Sequence, residues 1–296
     1  MDIKKKAPPF RGVGTALATP FRGGEVDLPV LRTLADRQYR GGVNALIVCG
    51  TTGESATLTK EEKAAALDAV LSECGGKLPI VMGTGSADTR ASIHAAREAE
   101  RQGADALLVV TPYYNKGTKE GLLRHYLSIA EAVDLPIILY NVPGRTGVDL
   151  GIDTLRQLVG HENIAAIKEA SGNINRCADI VALLGEALPL YSGNDDEILP
   201  TLAVGGIGII SVASNLLPAE ISRLVSLFEE GKVREATALS VRLLPLIRLL
   251  FADTNPAPIK AALAAAGLLL PEIRLPLTLP EGELLEKIRE ETQKWI

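Results

Sequence analysis

Apolar residues in this chain gather into short runs separated by longer amphipathic segments. The runs are "GVGTALATPF" (12–21), "VNALIVCG" (43–50), "PIVMGTG" (79–85), "ADALLVVTP" (104–112), "PIILYNVP" (136–143), "IAAIKEAS" (164–171), "LPLYSG" (188–193) and "GIGIISVAS" (206–214). Most are nearly continuous in apolar residues instead of alternating, as expected of parallel strands covered on both faces. Between them, segments such as "EGLLRHYLSIAEAV" and "LGIDTLRQLVG" carry apolar residues at helical spacing. In "TLTKEEKAAALDAVLSECGG", Thr59 and Glu62 have capping-box spacing, and Gly75–Gly76 follow the helix. Ser86 or Asp88 can cap "TRASIHAAREAERQGAD". Asn194, Asp195 and Asp196 can cap the short helix-compatible stretch "NDDEILPTLAVG".

Eight strands alternating with helices predict a (β/α)8 TIM barrel. An open doubly wound sheet fits less well. No G-x-G-x-x-G follows the first strand, and the repeat runs to eight without a switch. After about residue 217 the chain turns helical and leucine-rich, without strand candidates. We therefore expect a barrel over residues 1–225 and a small C-terminal helical region over residues 226–296.

Composition narrows the function classes. A chain of 296 residues, 47% hydrophobic and 23% charged, can bury a substantial core. Its net charge of -5 offers no basic footprint for nucleic acid. Cys49, Cys74 and Cys177 are too few and too scattered for a disulfide framework or a zinc site, which suits a reducing compartment. The start "MDIKKKAPPF" is basic but has no apolar core, so no signal peptide is expected. No apolar run approaches the ~18 residues of a membrane span. A soluble cytoplasmic protein is the expectation.

In a barrel of this kind the chemistry sits where strands end. The strand ends read "CGTTGES", "TPYYN", "YNVPGRTG", "KEASGN" and "SGNDD", and they bring Thr51, Thr52, Tyr113, Tyr114, Tyr140, Arg145 and Lys168 towards one rim. His94, His125 and His161 all fall in helices or helix–strand loops. The rim thus lacks the imidazole–carboxylate set a metal would want, and no metal cofactor is expected. The glycines of "GGIGIIS" read as packing more readily than as a phosphate cradle.

Lys168 is the awkward residue, a lysine in a strand that should be dry. It is a nucleophile, a surface group at a strand end, or the partner of Glu169. The last pairing is geometrically poor, because adjacent strand residues point to opposite faces. By the same alternation Ile164, Ala166 and Lys168 share one face, as do Ile138 and Tyr140. Desolvation favours the free amine of a lysine, and a free amine attacks a ketone to form a Schiff base. A nearby tyrosine can move the protons, and an arginine can bind a carboxylate. From the residues alone, catalysis and a structural role for Lys168 both stay open. Tyr140 could be a core aromatic, Tyr113 interface packing, Arg145 a loop ion pair, and Cys49 a small buried hydrophobe.

Taken together in this order, "GTTGES", "TPYYN", "YNVPGRTG", "IKEASGN" and "SGND" resemble the dihydrodipicolinate synthase family of pyruvate-dependent class I aldolases. The resemblance extends from about Gly14 to "NPAPIKAALAAAG". It implies condensation of pyruvate with L-aspartate 4-semialdehyde to give 4-hydroxy-tetrahydrodipicolinate, on the route to diaminopimelate and lysine. It implies that Lys168 forms the Schiff base and that Tyr140 is the acid/base group beside the imine. Thr52 would link Tyr140 to Tyr114, and Tyr114 would reach into a neighbouring subunit. Thr51 and Thr52 would bind the pyruvate carboxylate, Arg145 would hold the semialdehyde carboxylate, and Gly193 and Ile210 would line the pyruvate pocket. The family implies a homo-oligomer of at least two subunits, usually a tetramer of paired dimers.

Related aldolases act on other aldehydes, among them N-acetylneuraminate lyase, 2-keto-3-deoxygluconate aldolase and 4-hydroxy-2-oxoglutarate aldolase. Thr52 and Arg145 are the synthase-like choices. A catalytically silent barrel is the rival from another class, and the intact Lys168, Tyr140, Thr52 and Tyr114 set argues against it. The sequence departs from lysine-inhibited members at Lys60, Lys63, Ala87 and Ala91, where polar, imidazole and carboxylate groups are usual. Weak or absent feedback by lysine is the expectation.

Overall fold

Eight parallel strands close on themselves in the computed structural model, which describes residues 5–296. The first four residues of the basic start lie outside the described residues. The barrel strands are β1 (Gly12–Ala16), β2 (Ala45–Val48), β3 (Ile80–Gly83), β4 (Ala106–Val110), β5 (Ile137–Asn141), β6 (Ile164–Glu169), β7 (Leu190–Ser192) and β8 (Gly208–Ser211). Each pairs with its sequence neighbours, and β1 pairs with β8 to seal the ring. Every strand falls inside one of the eight apolar runs, though most are shorter than the run. The first run stops pairing at Ala16, and after Pro20 the chain forms a small hairpin, Phe21–Arg22 against Glu25–Val26. At the seam, a Cβ on Gly208 would stand 2.0 Å from the Gly12 carbonyl oxygen, so only glycine fits where the ring closes.

The helices between strands are α1 (Leu28–Arg40), α2 (Lys60–Cys74), α3 (Thr89–Gln102), α4 (Lys119–Ala130), α5 (Ile152–Leu158), α6 (Ile174–Leu184), α7 (Ile198–Ala203) and α8 (Pro218–Glu229). The capping box of α2 forms in both directions. The Thr59 hydroxyl accepts from Glu62 N at 3.2 Å, and the Glu62 carboxylate accepts from Thr59 N at 2.8 Å. Asp88 caps α3 by accepting from Arg90 N, and Ser86 steadies Asp88 by accepting from its N–H. The acidic cluster before α7 behaves differently from expectation. None of its side chains caps the helix. Asp195 turns inward and accepts from Ser211 Oγ, Val212 N and Ala213 N, which ties the end of β7 to the end of β8.

Two apolar layers follow from strand alternation. The inner layer fills the barrel with Ala16, Ile47, Val81, Leu108, Ile138 and Ala166, floored by Phe10 stacked on Tyr191 at 4.4 Å. The outer layer joins strands to helices. In β6 the alternation is interrupted. Ile137 pairs with Ile164 but Ile138 pairs with Ala166, so one extra residue is inserted at Ala165. Ile164 therefore packs in the outer layer, and only Ala166 shares the inner face with Lys168.

Beyond α8 the chain forms α9 (Val233–Leu250), α10 (Ala257–Ala265) and α11 (Gly282–Gln293). Helix α8 runs across residue 225. The later helices contribute Leu243, Ile247, Ile259, Leu263 and Ile288 to the outer layer. No helix of the described residues is long and apolar enough to cross a membrane.

His125 of α4 lies buried between layers, with Nδ1 2.9 Å from Thr89 Oγ1 and no partner for Nε2 among the described residues. Burial lowers its pKa from 6.5 to about 4, against a weaker upward pull from Asp88. Between those values the unfolded chain binds more protons than the folded one, so stability rises with pH there. The full contribution holds above 6.5 and is lost as pH falls towards 4. Chemical denaturation across pH 4–7 is expected to show this slope, and His125→Gln to flatten it.

Candidate active site

Strand parity places Lys168. Lys168 and Tyr140 are register partners on β6 and β5, and both point to the barrel interior. Lys168 is 5% exposed, and its Nζ stands 4.3 Å from the centre of the Tyr140 ring. It makes no hydrogen bond or ion pair among the described residues. Glu169, the next residue, points outward. Its carboxylate accepts from Arg176 Nε at 2.8 Å, Ser171 N at 2.8 Å and the Asn141 amide at 3.0 Å. The Glu169 partnership for Lys168 is thus excluded by geometry.

A cavity of about 210 Å³ opens over Lys168, lined by Thr51, Thr52, Tyr140, Arg145 and Gly193. Gly193 is required by space, since a Cβ there would lie 3.1 Å from Lys168 Cε and 2.5 Å from Ala170 Cβ. Ile210 is wholly buried in the inner layer beneath, and Val212, two residues later, is the β8-end residue that lines the cavity. A second cavity of about 410 Å³ shares Thr51, Tyr140 and Arg145 and forms the approach, with Tyr113 and Lys63 on its walls. A larger surface hollow along α3, lined by Arg90, His94 and Arg97, contains none of these residues.

The threonine pair sits in the turn 50–57. Its entry is tight, because Cys49 adopts φ 53 and a Cβ on Gly83 would meet the Cys49 carbonyl at 2.2 Å. Burial pushes the Cys49 thiol up to about 12, so this sulfur is a packed hydrophobe. Thr52 is buried, and its hydroxyl oxygen accepts from Asn255 Nδ2 at 3.0 Å. Its own O–H proton is therefore free to donate. Arg145 lies in a single helical turn, Pro143–Thr146, that ends at Gly147 with φ 68. Its Nη2 donates to the Asn255 carbonyl at 3.0 Å, which aims the guanidinium along the cavity rim.

Tyr114 is not brought to this cavity. It is 93% exposed with φ 72 and turns its side chain away from its own barrel. Its neighbour Tyr113 lines the approach instead. Asn255, which contacts both Thr52 and Arg145, escaped the sequence reading, although its "NPAPIK" context lay within the recognisable segment. Asp195 has the sequence context of a helix cap and no other sign of its inward role. Burial pushes its carboxyl upward, opposed by its three donors and by the charge of Lys168.

The chain is similar to known proteins over nearly its whole length. A profile of the Dihydrodipicolinate synthetase family matches residues 9–295. The chain is 44% identical over 285 residues to a 4-hydroxy-tetrahydrodipicolinate synthase of Alkaliphilus oremlandii, covering 96% of this chain and 98% of that protein. A crystal structure of dihydrodipicolinate synthase from Thermotoga maritima superposes with a TM-score of 0.95 at 41% identity, covering 97% of this chain and 99% of that one. The dihydrodipicolinate synthase of Acinetobacter baumannii, solved in complex with pyruvate, gives a TM-score of 0.93 at 39% identity, covering 96% and 98%. This chain belongs to the dihydrodipicolinate synthetase family.

Proposed function

We propose that this chain is a lyase that condenses pyruvate with L-aspartate 4-semialdehyde to give 4-hydroxy-tetrahydrodipicolinate. The observation that carries it is Lys168, a buried lysine without hydrogen-bonding partners that faces a tyrosine in a cavity rimmed by threonines and an arginine. Without a partner, this amine is open to a carbonyl substrate instead of being held in an ion pair.

The chemistry follows from the positions. The Lys168 amine adds to the pyruvate ketone, and loss of water gives an imine. The imine draws electrons from the methyl carbon, which loses a proton and becomes an enamine. That carbon attacks the aldehyde, and the substrate's own amine then displaces Lys168 and closes the ring. Tyr140 moves protons beside the imine nitrogen. Thr52 accepts from Asn255 and so donates towards Tyr140, while the hydroxyls and backbone N–H groups of the Thr51–Thr52 turn bind the pyruvate carboxylate. Arg145 takes the semialdehyde carboxylate. Gly193 leaves room for the imine, with Ile210 as its floor. The outward Tyr114 serves a neighbouring subunit, which requires a homo-oligomer of at least two chains. Lys63 on the approach wall adds a cation where an imidazole or carboxylate would favour lysine, so feedback by lysine is weak.

Borohydride reduction in the presence of pyruvate is expected to leave a covalent adduct at Lys168, read by peptide mass spectrometry and lost in Lys168→Ala. An unmodified wild type would refute Schiff-base catalysis. Tyr140→Phe should lower kcat by roughly 10²–10⁴-fold. Arg145→Gln should raise KM for the semialdehyde about 10–100-fold, the worth of one charge-assisted contact, with KM for pyruvate little changed. Parallel assays with N-acetylneuraminate and 2-keto-3-deoxygluconate should show no comparable cleavage.

A further inference from the structure

A second lysine is withdrawn from water, and the chemistry at Lys168 does not use it. Lys260 lies in α10 with its side chain 0% exposed. Its Nζ donates to Glu54 Oε1 at 2.6 Å and stands 4.1 Å from the centre of the Phe21 ring. The other Glu54 oxygen accepts from Arg274 N at 3.0 Å. Glu54 itself is buried and adopts φ 55, a backbone conformation that non-glycine residues seldom hold without support.

Stability alone does not account for a charge pair in this place. A buried ion pair is often matched or bettered by apolar residues of the same volume. Helix α10 is already seated by Ile259, Ala261, Ala262 and Leu263, which belong to the outer core layer. What lacks apolar seating is the other end of the pair. Between buried Cys49 and buried Leu58 the turn reads "GTTGESAT", with no large apolar side chain. Its position is fixed by polar bonds from outside. Asn255 donates to the Thr52 hydroxyl, Lys260 and Arg274 to Glu54, and Arg274 Nη1 to the Thr57 carbonyl at 2.9 Å. Thr19 adds a bond to the Gly53 carbonyl at 2.8 Å. All but the last come from residues 255–274.

We propose that Glu54 and Lys260 are positioning residues for pyruvate binding, through which the C-terminal helical region holds the Thr51–Thr52 turn in register with Lys168. The inference rests on the assignment of Lys168 as the pyruvate-binding lysine. A directional charge pair sets the turn where an apolar contact would let it slide. Glu54 stands on the wall of the approach cavity and makes no hydrogen bond to the Lys168 amine. It acts two residues away, on the backbone that presents Thr52.

The test compares wild type, Glu54→Gln, Lys260→Met, the double variant and Glu54→Asp. Two readouts are taken from each, the thermal midpoint and the pyruvate concentration for half-maximal borohydride trapping at Lys168. Each single neutralisation should lower the midpoint and raise the half-trapping concentration at least tenfold. The double variant leaves no lone buried charge and should regain heat stability, yet keep the raised pyruvate requirement. Glu54→Asp keeps the charge but shortens its reach, and should shift half-trapping with little loss of heat stability. Trapping at saturating pyruvate should still reach completion in every folded variant. Unchanged half-trapping in the double variant and in Glu54→Asp would overturn the proposal while leaving the role of Lys168 intact. Absence of an adduct in the wild type would overturn the assignment of Lys168, and this proposal with it.

Discussion

The site depends on the parity of one strand. On β6, Lys168 faces into the barrel and Glu169 faces out, and the inserted residue at Ala165 sets which is which. Without that insertion, the apolar residues before it and the lysine after it could not both face as they do. The outward carboxylate finds Arg176 and Asn141, and the inward amine finds only Tyr140 and a cavity. A cation and an anion adjacent in sequence are thereby kept from neutralising one another. The amine is left facing the cavity without an ion pair, and the carboxylate helps to fasten β5, β6 and α6 from outside.

Much of this was legible in the chain. Apolar runs, most of them near-continuous, marked the eight strands, since strands covered on both faces have no polar side to show. The rim residues were legible because polar groups at strand ends are where such barrels keep their chemistry. Thr51, Thr52, Tyr140, Arg145, Lys168 and Gly193 do line one cavity. Other features depended on information that periodicity does not carry. The insertion in β6 consists of an alanine among alanines and isoleucines, so nothing distinguishes it until register is known. The Phe21–Val26 hairpin had a local sign, the pair Gly23–Gly24 between short flanks, both at positive φ. Asp195 carried the composition of a helix cap and took backbone donors from just beyond the next strand instead, a tertiary choice that local sequence does not encode.

Lys168 and Lys260 make an instructive pair. Each is a lone cation in a stretch that otherwise reads dry, "IAAIK" in one case and "APIKAALAA" in the other. The same sequence signal has two physical outcomes. Lys260 is satisfied by Glu54, more than two hundred positions earlier in the chain, and Lys168 is left unsatisfied. Only the three-dimensional distribution of carboxylates separates a paired lysine from an unpaired one. Burial alone does not.

The bonds that reach from residues 255–274 to the turn at 50–57 also order events in time. The chain is made from its N-terminus, and the barrel strands are complete once Ser211 has been synthesised. At that moment the threonine turn exists but the donors that seat it do not. The growing polypeptide thus holds all eight strand segments before it holds the donors, and the bonds to Glu54 and Thr57 can form only after Arg274 has been made. Because the fastening comes so late in the chain, a fragment ending after the eighth strand lacks every bond from Asn255, Lys260 and Arg274 to the threonine turn.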